Sequence, residues 1–95
     1  MIIRFTPSAE KDFLAAVAYL SGRSLKATNH FIDLIEQAFS QLELFPDSGA
    51  YIPEFPTTLY RQVFAKPYRI FYRAEDDTIW ITALYHDRQL PLKVK

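Results

Sequence analysis

Residues 25–45 carry the strongest periodic signal in this sequence. Five apolar residues repeat at spacings of four, three, four and three positions: Phe31, Ile35, Ala38, Leu42 and Phe45. This spacing puts one apolar face on an α-helix, which Ser24 can cap and Pro46 must end. At about 1.5 Å per residue such a helix is about 30 Å long, the full width of a small domain.

A shorter helix is predicted over residues 7–21. Pro7 suits its first position because proline has no amide hydrogen to leave unbonded there, and Thr6 can cap it. Apolar residues recur along it at helical spacing: Ala9, Phe13, Ala16, Val17 and Leu20. Gly22 ends it, and only two or three residues precede the next helix. The two helices should therefore form an antiparallel hairpin.

Strands are predicted on both sides of the helical hairpin. Residues 2–5 form a short β-branched and aromatic run, whereas 46–58 contain three prolines with Asp47, Ser48 and Gly49 and are predicted to be loop. Residues 59–64, 68–74 and 78–86 are rich in aromatic and β-branched residues. The order β, α, α, β, β, β predicts an α+β fold, with the helical hairpin packed on a small, mainly antiparallel sheet. Residues 1–95 should form one domain.

Alternation along a strand sorts the predicted side chains onto two faces. One face should carry Ile70, Tyr72, Ala74, Ile79, Ile81, Ala83 and Tyr85, and the other Arg69, Phe71, Arg73, Trp80, Thr82, Leu84 and His86. The first set is expected beneath the helices. The second would then expose aromatic residues mixed with arginine, a composition typical of protein interfaces.

Composition excludes several classes of function. With no cysteine, the chain has no disulfide scaffold, thiolate zinc site or cysteine nucleophile, and two glycines offer little for a phosphate-binding loop. No metal-ligand pattern and no cofactor motif are found. The first residues do not resemble a secretion signal, and no apolar run reaches the roughly 18 residues of a membrane span. We therefore expect a cytoplasmic protein without metal or cofactor.

Charge is balanced overall but uneven along the chain. Eleven basic residues match eleven acidic ones, which argues against a protein that mainly coats nucleic acid. Residues 1–55 carry four basic and seven acidic residues, whereas residues 56–95 carry seven basic and four acidic. The net charges of −3 and +3 indicate that an acidic partner would bind the second part.

Four arginines lie in the strand region, at positions 61, 69, 73 and 88. Guanidinium groups bind phosphate or carboxylate in a two-pronged fashion. They could equally solubilise one sheet face by pairing with nearby acids: Glu75, Asp76, Asp77 and Asp87. His86 follows Tyr85 and could act as acid or base, although a lone histidine is weak support for catalysis.

Two segments resemble the RelE/ParE superfamily of toxins from bacterial type II toxin–antitoxin pairs. They are the helix end Leu-Glu-Leu-Phe-Pro-Asp-Ser-Gly at 42–49 and the strand Tyr-Arg-Ile-Phe-Tyr-Arg at 68–73, with Arg61 before the strand and Arg88 after it. The resemblance covers nearly the whole chain. It implies the same element order and a growth-inhibiting toxin. It also implies neutralisation by a cognate antitoxin, which alone would contact operator DNA.

The resemblance leaves two branches open. ParE-like toxins poison DNA gyrase, whereas RelE-like toxins cleave mRNA on the ribosome, with matching positions here at Arg69, Tyr85, His86 and Arg88. Neutral charge and a loop without lysines before Arg61 favour the ParE branch, with no catalytic set. A toxin-like fold that retains only antitoxin binding is a third possibility. Target or antitoxin contacts are predicted on the helical hairpin and at Arg61, Arg69, Phe71, Arg73, Trp80 and Arg88.

Overall fold

The computed structural model describes residues 1–89. The elements are β1 (Ile2–Phe5), α1 (Pro7–Ser21), α2 (Leu25–Leu44), β2 (Ala50–Tyr51), β3 (Arg61–Ala65), β4 (Tyr68–Glu75) and β5 (Thr78–His86). One sheet has the order β1-β5-β4-β3-β2, with β1 parallel to β5 and the other pairs antiparallel. The predicted α+β fold is confirmed. The two-residue strand β2 is an addition, since its segment was predicted to be loop.

Both helices begin at the predicted caps. The hydroxyl of Thr6 accepts a hydrogen bond from the N–H of Ala9 at 3.2 Å, and that of Ser24 accepts from the N–H of Ala27 at 3.1 Å. Each cap satisfies an amide that has no partner within its helix and contributes about 1 kcal/mol. The last apolar residue of the predicted α2 stripe, Phe45, lies just beyond the helix and is 62% exposed, so it is not part of the core.

The helical hairpin covers one face of the sheet. Its main buried contributors are Ala9, Ala16, Phe31, Ile35 and Leu42, which pack against Ile70, Tyr72, Ile79 and Ile81 from the strands. The Phe5 ring packs edge-on against Phe13 at 4.8 Å between centroids and against Phe39 at 5.7 Å, which joins β1 to both helices. Asp12 accepts a hydrogen bond from the N–H of Leu84 at 3.1 Å, which fixes α1 to β5.

A β-bulge interrupts the pairing of β4 with β5. Tyr72 pairs with Ile81 and Phe71 with Ala83, which leaves Thr82 as an extra residue in β5. An extra residue reverses the alternation of all side chains that follow it.

The predicted faces of the last four residues of β5 are therefore wrong. Leu84 belongs to the core under the helices, and His86 contacts Tyr68 on that side. Ala83 and Tyr85 pack instead with Phe71 on the opposite face. A strict period of two cannot anticipate a bulge, because the bulge is a property of the pairing between two strands.

The far face, defined as the sheet face opposite the helices, is partly covered by the loop between β2 and β3. Ile52 is buried there against Phe71 and Ala83, and Phe55 and Tyr60 pack around them. Phe71 is 0% exposed, so the prediction that it faces solvent or a partner is wrong. The reason is that the apolar residues of the proline-bearing segment fold back onto the sheet and bury area there.

Tyr72 anchors the other end of this proline-bearing segment. Its hydroxyl donates to the carbonyl of Pro46 at 2.7 Å and accepts from the N–H of Gly49 at 3.0 Å. Burial raises the pKa of Tyr72, so the hydroxyl keeps its proton and remains a donor. The path of the loop after α2 is thus set by one buried side chain of β4.

Candidate functional site

Arg69 lies on the far face, near the start of the central strand β4, and is held by two side chains. Its Nη1 and Nη2 atoms donate to the two carboxylate oxygens of Glu54 at 2.8 and 2.7 Å, and its Nε donates to Oε1 of Gln62 at 2.9 Å. Arg69 is only 8% exposed, so the expectation that it presents its charge to solvent is also wrong. The guanidinium is already engaged in a two-pronged pair.

Glu54 is the partner that the sequence analysis missed. It is brought to Arg69 by the loop whose residues Ile52 and Phe55 are packed on the far face. Hydrogen bonds from Arg69 lower the pKa of Glu54 below its usual value, because they favour the charged carboxylate. One signal was available in the sequence, since Glu54 is the only acidic residue between Asp47 and Glu75.

Arg73 lies on the same face, nearer to β1. Its Nε donates to Glu75 at 2.7 Å, which is one of the pairs with neighbouring acids that the sequence analysis considered. Its guanidinium carbon is 5.8 Å from the ring centroid of Trp80 and 5.9 Å from that of Tyr60, within the range of cation–π contacts. Arg73 and Trp80 are half-buried, so both remain in contact with solvent.

Arg61 is separate from this group. It pairs with Tyr72 across the strands and so lies on the helix side of the sheet. Its Nη1 donates to the carbonyl of Gly49 at 2.8 Å, its Nη2 donates to the hydroxyl of Tyr51 at 3.2 Å, and its guanidinium carbon lies 4.3 Å from the Tyr51 ring centroid. These contacts tie the loop after α2 to β3.

The four residues that match the nuclease branch are not brought together. Arg69 and Tyr85 are direct neighbours across β4 and β5 on the far face. His86 lies on the helix side, with its ring 5.5 Å from that of Tyr68. Its Nδ1 accepts a hydrogen bond from the backbone N–H of Arg88 at 3.2 Å, and the Arg88 residue is exposed in the turn that follows β5.

His86 instead borders a cavity of about 390 Å³ between the helical hairpin and the turn joining β3 to β4. The walls are mainly aromatic and aliphatic, and they include Tyr19, Phe31 and Tyr68. No arginine of the far face lines this cavity. An acid–base step shared by His86 and Arg69 therefore has no support in the geometry, since the two side chains lie on opposite sides of the sheet.

A larger groove of about 550 Å³ follows β1. It is lined by Ile3, Arg4, Phe5, Glu10, Phe13, Leu14 and Trp80. Because β1 is an edge strand, its outer backbone groups have no partner strand among residues 1–89. The groove thus combines an open strand edge with apolar side chains, one arginine and one glutamate.

Residues 1–89 contain neither a candidate metal site nor a candidate membrane span. No group of three or more histidine, aspartate or glutamate side chains in this part of the chain is placed to hold a metal ion. None of its helices has the length and hydrophobicity needed to cross a membrane. The roles in target or antitoxin binding assigned above to the arginines and Trp80 stay predictions.

Comparison with known proteins gives the family. A solved structure described as the chromosomal ParDE TA system from P. aeruginosa has a TM-score of 0.66 and 16% identity, covering 90% of this chain and 95% of that one, which shows a shared fold. A search of curated proteins finds none that matches. The family model described as ParE toxin of type II toxin-antitoxin system, parDE, matches residues 3–91. The chain therefore belongs to the ParE toxin family, as the resemblance in the RelE/ParE superfamily indicated.

Proposed function

We propose that this ParE-family toxin inhibits growth by poisoning DNA gyrase and that a cognate antitoxin neutralises it. The observation that carries the choice of target is the pairing of Arg69 with Glu54 on the far face. A toxin that acts on RNA needs arginines available to phosphate, whereas here the central guanidinium is already neutralised by a carboxylate. The far face is thus better suited to contact a protein than to grip a phosphate backbone.

Two further observations disfavour the RelE-like alternative. His86 and Arg69 lie on opposite sides of the sheet, so they do not form a joint acid–base site. The formal net charge is zero, which gives no long-range attraction to the ribosome's phosphate environment. Both support a toxin that acts by binding.

The groove along β1 is the surface that we propose for the antitoxin. An extended segment can add to an open strand edge through backbone hydrogen bonds, and side-chain pockets beside the edge then give specificity. Leu14 is 64% exposed beside this groove, and Arg4 and Glu10 offer one site for an acidic and one for a basic residue of the partner. Phe71 is no longer part of the proposed surface because it is buried. Operator DNA would be reached only through the antitoxin.

The gyrase proposal is tested with purified toxin, gyrase and plasmid DNA. Supercoiling should fall and cleaved DNA–gyrase complexes should accumulate, and addition of the antitoxin should restore supercoiling. A ribosome assay with the same preparation should leave mRNA intact. Unchanged supercoiling without trapped complexes would rule out gyrase, and cut mRNA would favour the alternative.

The antitoxin surface is tested with two matched leucine substitutions. Leu14→Glu places a charge beside the β1 groove, whereas Leu59→Glu makes the same change at a position that is 83% exposed and does not line the groove. Only Leu14→Glu should weaken antitoxin binding, by at least about tenfold, because it removes a leucine contact from the interface and buries a charge there. Equal affinities of the two variants, measured by calorimetry, would exclude this groove.

A further inference from the structure

The end of the Arg69 guanidinium that Glu54 occupies has the geometry of an oxyanion site. Gln62, itself buried, accepts from Nε at 2.9 Å and so sets the orientation of the guanidinium plane. Nη1 and Nη2 are then directed at two oxygens, 2.8 and 2.7 Å away. A phosphate group binds the same pair of donors with the same two-pronged geometry.

Glu54 is attached to the same chain and competes with any external anion. Its loop is held on the far face by Ile52, which is fully buried, and by Phe55. An internal competitor acts at a high effective concentration, so it outcompetes a dilute phosphate without any exceptional contact energy. The Glu54 side chain is 27% exposed and that of Arg69 only 10%, so the carboxylate forms the outer layer of the pair.

The surroundings of the pair are aromatic. Tyr60, Trp80 and Tyr85 are half-buried on the far face, and Arg73 lies over the rings of Tyr60 and Trp80. Aromatic rings beside arginines form the usual platform for single-stranded nucleic acid, because bases stack on the rings while guanidinium groups contact the phosphates. Of the two far-face arginines, Arg73 is paired with the exposed carboxylate of Glu75, and Arg69 is the one whose two Nη atoms are both occupied by a carboxylate.

We propose that Glu54 is a specificity-determining residue that closes a latent binding site for single-stranded nucleic acid on the far face by occupying Arg69. Removing the Glu54 charge opens this site. The inference goes beyond the proposed function, because it assigns to the far face a ligand class other than the protein contact proposed above.

The test compares two variants with the same change in net charge. Glu54→Gln releases Arg69, whereas Glu43→Gln removes an exposed carboxylate on α2 that forms no ion pair within residues 1–89. Binding of a labelled oligouridylate is followed by fluorescence anisotropy. We expect Glu54→Gln to bind about tenfold more tightly than Glu43→Gln, as for one added charge-assisted phosphate contact, with a steeper salt dependence.

Dependence on Arg69 is tested with the double variant Glu54→Gln, Arg69→Gln, which should lose the gain. Thermal melting establishes that each variant is folded. If Glu54→Gln melts below the assay temperature, Glu54→Ala replaces it and is compared with Glu43→Ala, and the same gain in affinity is expected because the charge at position 54 is again removed.

Inorganic phosphate is the second probe. At constant ionic strength, phosphate should raise the melting temperature of Glu54→Gln by more than that of Glu43→Gln, since a ligand that binds the folded state stabilises that state. Equal RNA affinity of the two variants, or a gain confined to inorganic phosphate, overturns the proposal. Neither gyrase nor antitoxin is present, so the outcome is independent of the proposed function.

Discussion

Replacing Gly49 with alanine is expected to lower the free energy of unfolding by about 2–4 kcal/mol. Gly49 is buried between α2 and β2 and joins three parts of the chain. Its N–H donates to the hydroxyl of Tyr72 at 3.0 Å, and its carbonyl accepts from Arg61 at 2.8 Å. The φ angle of Gly49 is not positive, so the requirement at this position is for space and not for an unusual backbone conformation.

The magnitude follows from the distances around Gly49. An added Cβ would lie 2.6 Å from the hydroxyl oxygen of Tyr72 and 2.7 Å from the backbone carbonyl oxygen of Gln62. The carbonyl belongs to β3 and cannot move without disturbing the sheet, so the loop must shift. Overpacking of this kind costs about 1–3 kcal/mol, and each hydrogen bond lost adds about 0.5–1.5 kcal/mol.

Urea unfolding and thermal melting measure the effect. For a domain of this size each kcal/mol lowers the melting temperature by about 4–8 °C, so a decrease of about 8–32 °C is expected. Gly22→Ala is the matched control, because Gly22 has a φ of −72° and an added Cβ would meet its nearest atoms at 3.7 Å. It should be neutral or stabilise by up to about 1 kcal/mol. A cost below about 1 kcal/mol for Gly49→Ala would refute the steric reasoning.

Three further perturbations test the same structure. Glu54→Gln should lower stability at pH 7 by about 1–2 kcal/mol, because it leaves the Arg69 charge without its carboxylate. Since the folded-state pKa of Glu54 is lowered, that contribution is fully present above the unfolded pKa and is lost as the pH falls through the folded one. The difference from the wild-type protein in urea unfolding should therefore shrink at acidic pH, and a constant difference would contradict the ion pair. Asp12→Ala should lower the free energy of unfolding by about 1–2 kcal/mol and speed amide hydrogen exchange at Leu84, because the Leu84 N–H loses its acceptor. Unchanged exchange at Leu84 would show that this hydrogen bond does not stabilise the fold. Thr82→Val should leave the free energy of unfolding unchanged or raise it by up to about 1 kcal/mol, because the buried Thr82 hydroxyl has no hydrogen-bond partner among residues 1–89. A loss above about 1 kcal/mol in urea unfolding would mean that the hydroxyl is hydrogen-bonded in the folded protein.

Local interactions made most of the elements predictable. Thr6 and Ser24 cap the helices where their position before Pro7 and Leu25 indicated, and the limits of β5 agree with its run of β-branched and aromatic residues. Caps, helical spacing and turn residues act over a few positions, so they can be recognised without knowledge of the fold. The uneven distribution of acidic and basic residues between the two parts of the chain can likewise be recognised from the sequence alone.

The side chains that form the candidate site were less predictable. His86 was expected to share a face with Arg69, but the bulge at Thr82 moves it to the helix side. Arg69 and Tyr85, in contrast, were expected on different faces and became neighbours. A shift of one residue in strand pairing changes every later side chain, and nothing in a single strand's composition encodes it.

Alone, then, the sequence determined the helical hairpin, the order of all elements except β2, and the limits of β1, β4 and β5 to within one residue, because these depend on contacts between residues close in the chain. Only the tertiary structure decided that Ile52 covers Phe71 and that Glu54 pairs with Arg69. These contacts join segments that are far apart in the sequence, and the loop adopts its path because apolar burial and a two-pronged ion pair are available on that face of the sheet.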